Sequence, residues 1–204
     1  KLTFTKEYFN VNDTQAKDLI TILENSDSLD DWQPRIDTYK GCVEAQMITS
    51  KLHFSPEIVD KLRIGYSTQG GIDIPIIYKN RVVDRVQYFP NQVPKYKRNK
   101  FSISGTIFPY DLWKETKSKS NYTLICAGEK DCICARDHGF NAISFTGGEQ
   151  YVPNIFLNDF KNKKIYIVYD NDEPGRLGAK RVAFALKDYA KEIHIVDLKS
   201  VCVN

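Results

Sequence analysis

The sequence predicts an α/β protein: a mainly parallel sheet flanked by helices towards the C-terminus, preceded by a smaller mixed α/β lobe. Three observations predict it. From Tyr122 onward, short apolar runs alternate with helix-length segments, the rhythm of right-handed βαβ crossovers. Two of those runs, Tyr122–Cys126 and Ile165–Tyr169, end in acidic clusters, where open α/β sheets place their sites. Upstream, Ile72–Tyr78 and Val82–Phe89 flank Lys79-Asn80-Arg81, which reads as a hairpin.

In chain order, Asn12 or Asp13 caps a first helix carrying Ala16, Leu19, Ile20 and Leu23 on one face. The polar, acidic run Asn25–Asp37, with Pro34, reads as a linker or long loop. A second helix is predicted over Gly41–Leu52, and Ser55-Pro56-Glu57 opens a third with Ser at the cap and Pro at the first helical position. Pro75 marks an edge position or a bulge in the hairpin. Pro90–Lys100 reads as an exposed loop. After Tyr122–Cys126 come a helix over about Asp131–His138, a strand Ala142–Phe145 ending in Thr146-Gly147-Gly148, and a looser stretch. Strand Ile165–Tyr169, a helix over about Leu177–Tyr189 and strand Ile193–Val196 follow. These elements divide into an N-terminal helix and linker (1–40), a small basic lobe (41–118) and the parallel-sheet domain (119–204).

Composition is that of an ordinary globular protein, with 42% hydrophobic and 27% charged residues. The net charge of +3 is small but unevenly spread. Acids outnumber bases in residues 1–40, whereas Lys79, Arg81, Arg85, Lys95, Lys97, Arg98 and Lys100 face Asp84 alone in 79–100. Interleaved with Tyr88, Phe89 and Tyr96, that segment has the footprint of a polynucleotide or triphosphate site, or of a solvated basic edge. Cys42, Cys126, Cys132, Cys134 and Cys202 form no C-x-x-C pair and read as reduced thiols, in keeping with a cytoplasmic protein. No apolar stretch approaches a membrane span and no signal-peptide pattern opens the chain. Starting at Lys1 without Met and ending soon after a strand, it reads as a fragment of a longer polypeptide.

The chemistry centres on Ala127-Gly128-Glu129-Lys130-Asp131 and Asp170-Asn171-Asp172-Glu173-Pro174-Gly175. An Asp-x-Asp pair after a strand is also what Asx-turns and helix caps produce, and a lone Glu is ordinary at a helix start. The combination says more. Glu129, Asp170 and Asp172 end strands of one β-α-β-α-β unit and offer hard oxygen ligands suited to Mg²⁺ (or Mn²⁺). Gly128, Gly147, Gly148 and Gly175 permit close approach of backbone to a ligand. Asp131 fits either an acid behind those ligands or a helix-start residue favoured by the macrodipole. His53, His138 and His194 are scattered without ligand spacing.

On these residues the chain resembles the toprim superfamily, and within it the primases of the bacterial DnaG type and of phage or mobile-element primase-helicases. Leu124–Val196 carries the toprim pattern: apolar strand, Gly-Glu-x-Asp, strand with Thr-Gly-Gly, apolar strand, Asp-Asn-Asp-Glu-x-Gly, helix. Upstream, Ile58–Tyr66, Ile74–Ile77, Val82–Arg85, Pro94-Lys95-Tyr96 and Ile107–Leu112 follow one another as in the primase catalytic core. The resemblance covers roughly 42–198 and leaves 1–40 unplaced. It departs from the family in lacking the Cys-rich zinc module, so no zinc is expected. Asp197 stands too early for the family's further acid beyond the last strand.

The resemblance implies a DNA primase core, a DNA-directed RNA polymerase in DNA replication that makes short primers on a single-stranded DNA template from nucleoside triphosphates. Asp170 and Asp172 would hold the ions, and Glu129 would join them or act as base. Arg85, Lys95 and Lys97 would bind triphosphate or template across a cleft, with Tyr96 stacked on a base or packed as a core aromatic. A replicative helicase, contacted through regions absent here, is the implied partner; no membrane is. The alternatives are a toprim nuclease and a non-catalytic single-stranded nucleic-acid-binding replication module.

Overall fold

The structure is a computed structural model that describes residues 26–67, 69–98, 105–117, 119–146 and 154–201, with isolated positions 17, 20, 24 and 152. The helix expected after Asn12 or Asp13 falls largely outside the described residues, and Gly147, Gly148 and Cys202 lie outside them. The chain divides into two compact units, Lys1–Ile103 and Ser104–Asn204.

The first unit is built on an antiparallel sheet. Its elements are β1 (Asp27–Ser28), α1 (Leu29–Lys40), α2 (Val43–Lys51), α3 (Pro56–Lys61), β2 (Gly65–Ser67), β3 (Gly71–Tyr78), β4 (Arg81–Tyr88) and β5 (Tyr96–Arg98). The strand order is β1-β4-β3-β2, with β5 also on β4. β1 pairs with β4 at Arg81 and Val82, and β5 pairs with it at Val86 to Tyr88. The predicted hairpin is present as β3 and β4. β2 begins opposite Asp73, so among the described residues Pro75 lies on a locally open edge, and the register shifts just beyond it between Ile76 and Ile77. That shift puts Val82 on the same face as Ile77, Asp73, Arg85 and Gln87.

Two expectations are corrected here. The stretch Asn25–Asp37 is not a loop: Leu29–Lys40 is helical. Ser28 and Asp31 form a reciprocal capping box, and Trp32 and Ile36 bury against Val82. Packing of that apolar face outweighs the helix bond lost at Pro34. α1 lies close on β2, since a Cβ at Gly65 would come within 2.7 Å of the Arg35 Cβ. Within the loop expected over Pro90–Lys100, Tyr96–Arg98 is a strand, because its backbone completes the open edge of β4.

The second unit holds β6 (Ile107–Phe108), α4 (Tyr110–Lys117), β7 (Tyr122–Cys126), α5 (Glu129–Asp137), β8 (Ala142–Phe145), a 3₁₀ turn (Asn154–Phe160), β9 (Lys164–Val168), α6 (Glu173–Leu186), β10 (Glu192–Ile195) and α7 (Leu198–Val201). The sheet order is β10-β9-β7-β8-β6. The first four strands in that order run parallel and β6 antiparallel. Ile125, Ile143, Ile165 and Ile167 are fully buried along the sheet, with the Trp113 and Phe160 rings tilted against each other in the core, centroids 5.2 Å apart. The observed division falls between Ile103 and Ser104, ahead of residue 118, because β6 pairs with β8 and Trp113 of α4 donates to Thr123 of β7. Among the described residues no helix is long and apolar enough to cross a membrane.

Candidate functional site

In the parallel sheet, the carboxyl ends of β7 and β9 deliver the two acidic clusters to one edge. β7 runs through Ala127 and Gly128 into α5, so Glu129 and Asp131 sit in that helix's first turn. β9 runs through Tyr169 to Asp170, and Asp172 caps α6, its Oδ1 accepting from the Gly175 amide at 2.8 Å. Asn171 donates its side-chain amide to Asp197 at 3.1 Å, and Asp197 also accepts from the Lys199 amide at 3.0 Å. Those two bonds, the Asn171 one first, hold the Asp197 carboxyl below its ordinary value. Arg176 donates to the Asn171 carbonyl at 2.8 Å, closing the turn.

The expected meeting of Glu129, Asp170 and Asp172 is not seen: among the described residues no three His, Cys, Asp or Glu side chains are grouped to hold a metal. Glu129 is only 9% exposed, and its charge is felt by the Cys132 thiol one turn on. Asp172 spends one oxygen on its cap. The acid that feels the Asp170 charge is Asp131. Although much of Asp131 is exposed, crowding around its carboxyl and then the Asp170 charge push it above its ordinary value. The opposing pull of Lys130 and the Gly128 and Asp131 amides is weaker. Two like charges at adjoining strand ends are what a divalent cation relieves.

The glycines have local explanations. A Cβ at Gly175 would collide with the Asp170 backbone, so that glycine lets α6 fold back on its own entry loop. Gly128 is an extended helix cap, where a Cβ would meet only Asp131 at an ordinary 3.6 Å. Nearby thiols are poor nucleophiles: burial pushes Cys126 up to about 12 and Cys132 well above its usual value.

On the first unit's sheet, Asp73, Gln87 and Lys97 lie directly across from one another on β3, β4 and β5, and so share a face with Arg85. Arg85 is 3.6 Å from Asp73 Oδ2 through Nη1. Lys97 donates to Gln92 at 2.8 Å and lies 4.7 Å from the Phe89 ring centre. Lys95, two residues earlier in the chain, is exposed. Tyr96 points to the opposite face, where its ring sits 5.2 Å from that of Tyr88. Sequence reasoning missed Arg35. Its cue was Ser28-x-x-Asp31, a helix start read as loop.

No family model matches the chain. It is 31% identical over 105 residues to a DNA primase of Campylobacter jejuni, which covers 48% of this chain and 17% of that protein. Among solved structures, it matches the zinc-binding and RNA polymerase domains of the Aquifex aeolicus primase with a TM-score of 0.67 at 16% identity, over 96% of this chain and 63% of that one. A DnaG primase catalytic domain bound to single-stranded DNA matches with a TM-score of 0.64 at 16% identity, over 84% of this chain and 67% of that one. The fold is that of a DnaG-type primase catalytic core. The chain spans a small part of the curated primase whose sequence it resembles.

Proposed function

We propose that this chain is the catalytic core of a toprim-type DNA primase, joining nucleoside triphosphates into short primers on a single-stranded DNA template. The observation that carries the reading is the delivery of Asp131, Asp170 and Asp172 to the carboxyl ends of parallel strands, within a fold shared with primase cores.

Asp170, Asp131 and the uncapped oxygen of Asp172 would hold Mg²⁺ or Mn²⁺. All are hard oxygen donors, and Mg²⁺ needs only one or two protein carboxylates when substrate phosphates complete its shell. Bound there, the ion supplies charge to offset that developing on the α-phosphate. The cap from Asp172 to Gly175 and the tether from Asn171 to Asp197 fix the loop that carries Asp170, so its carboxylate needs little reorganisation as charge develops. Glu129, nearly buried at the helix start, serves better as a charge behind the pair than as a ligand. Gly147 and Gly148 would let backbone approach the substrate. Arg85, Lys95 and Lys97 would hold template or triphosphate by charge-assisted hydrogen bonds, with Tyr96 offering a stacking face. A cytoplasmic setting and a replicative helicase partner accord with the same reading.

The test is a gel assay of the chain with single-stranded template, labelled nucleotides and Mg²⁺ or Mn²⁺. Primer-length products that vanish with chelator support the reading. Template cleavage would favour a toprim nuclease, and binding without either reaction a replication scaffold.

A further inference from the structure

Asp73 is fully buried, and its two oxygens are shared unequally. Oδ1 accepts from Gln87 Nε2 at 2.9 Å. Oδ2 takes two guanidiniums, Arg35 Nη1 at 2.7 Å and Arg85 Nη1 at 3.6 Å. A buried carboxylate needs one such partner to be balanced. The second is in excess of what Asp73 itself requires. Both arginines keep contact with solvent, their side chains being 37% and 24% exposed, and both line a cavity of about 250 Å³. Arg85 Nε is itself buried, with no hydrogen-bond partner among the described residues.

Arg35 is held in place. Its guanidinium lies 5.1 Å from the Trp32 ring centre, and Trp32 is pinned by donating to the Arg63 carbonyl at 2.9 Å. The bare backbone of Gly65 lets α1 come close enough for Arg35 to reach Asp73. The geometry points to α1 as part of the nucleic-acid surface: Arg35 and Arg85, oriented by Asp73, form one two-guanidinium site for a single backbone phosphate of single-stranded nucleic acid. This rests on the reading of the basic sheet as a template surface. A phosphodiester is favoured over a free phosphate because Lys97 continues the same face on the neighbouring strand and exposed Lys95 stands just before that strand, giving a line of cations rather than a closed pocket. Two acids line the cavity as well. Asp84 is 3.6 Å from Arg98 and accepts from the Arg85 amide at 2.7 Å. Asp27, exposed at the edge strand, opposes an anion.

Fluorescence anisotropy of a labelled oligothymidylate, titrated at several salt concentrations, tests it. Arg35→Gln should weaken binding several-fold and lower the slope of log K against log salt by about one phosphate contact. Arg35→Lys should recover the slope but not the full affinity, because lysine lacks the planar fork. Asp27→Asn should tighten binding. Arg35→Gln leaves Asp73 its second guanidinium, so the fold survives, and thermal melting checks this. If Arg85→Gln weakens binding while Arg35→Gln changes neither affinity nor slope, the paired site is overturned and the basic sheet stands. If Arg85→Gln, Lys95→Ala and Lys97→Ala are also without effect, the template surface falls with it.

Discussion

Asp131, in the first turn of α5, has its carboxyl raised above the ordinary value by the crowding around it first and then by the charge of Asp170 at the end of β9. The fold therefore favours the protonated form of Asp131. Its contribution to stability is complete below the ordinary aspartate range and is lost as pH rises through the raised folded-state value. Asp131→Asn should melt at a higher temperature than the wild type at neutral pH, and the difference should close on acidification below about pH 4. Melting curves across pH check this. A variant destabilised at neutral pH would show that Asp131 is held by favourable contacts instead.

The same pair predicts a metal response. Mg²⁺ or Mn²⁺ at ten times its Kd should add about 1.4 kcal/mol to wild-type stability at neutral pH. Asp170→Asn should remove most of the gain, because one carboxylate of the pair is lost. Differential scanning calorimetry with and without ion gives the comparison, and an equal gain in both proteins would place the ion elsewhere.

Asp172 separates capping from catalysis. Asn is as good an N-cap as Asp, whereas Ala costs about 1 kcal/mol at such a position. Asp172→Asn should keep the melting temperature and single-strand binding while abolishing metal-dependent primer synthesis. Asp172→Ala should lose both activity and stability. If Asp172→Asn remains fully active, Asp172 is a cap and nothing more.

Much of this was legible in the sequence where the signal is local. The strand–helix alternation after Tyr122 and the Ser55-Pro56 helix start reappear, although α6 begins at Glu173, four residues ahead of the expected Leu177, because Asp172 caps it. Helix α1 was hidden because Pro34 and a run of acids resemble a linker, and only burial of Trp32 and Ile36 against Val82 outweighs them. β5 was hidden because an edge strand is specified by its partner, here Val86 to Tyr88, more than by its own residues. At the acidic site, sequence places carboxylates at strand ends but does not orient them. Glu129 and Asp131 sit two residues apart on a helix and so point in different directions. Only the fold shows that the second is the one that feels the Asp170 charge.

Gly175 should not tolerate a side chain. Its missing Cβ is where the Asp170 backbone passes, and neither element can yield without moving the acidic loop. Gly175→Ala should cost about 1–3 kcal/mol, the range for overpacking a fitted site, and should reduce primer synthesis through misplacement of Asp170. Urea denaturation and the primer assay read the two effects. A melting temperature equal to the wild type's would show that the loop adapts.

Lys97 lies in β5 and Lys95 just before it, and their different settings predict different losses. Lys95 is exposed, so Lys95→Ala should remove one phosphate contact: affinity for single-stranded DNA falls, the salt slope drops by about one, and stability is unchanged. Lys97 also donates to Gln92 and lies over Phe89. Lys97→Ala should therefore lower the slope by a similar amount and cost about 0.5–1 kcal/mol of stability from the lost cation–π contact. Lys97→Arg should keep the slope, since the charge remains on the same face. Anisotropy titrations across salt, paired with urea melts, separate the two roles. Binding that falls equally at every salt concentration would mean that both lysines act through packing of β5 against β4 and not through contact with the nucleic-acid backbone.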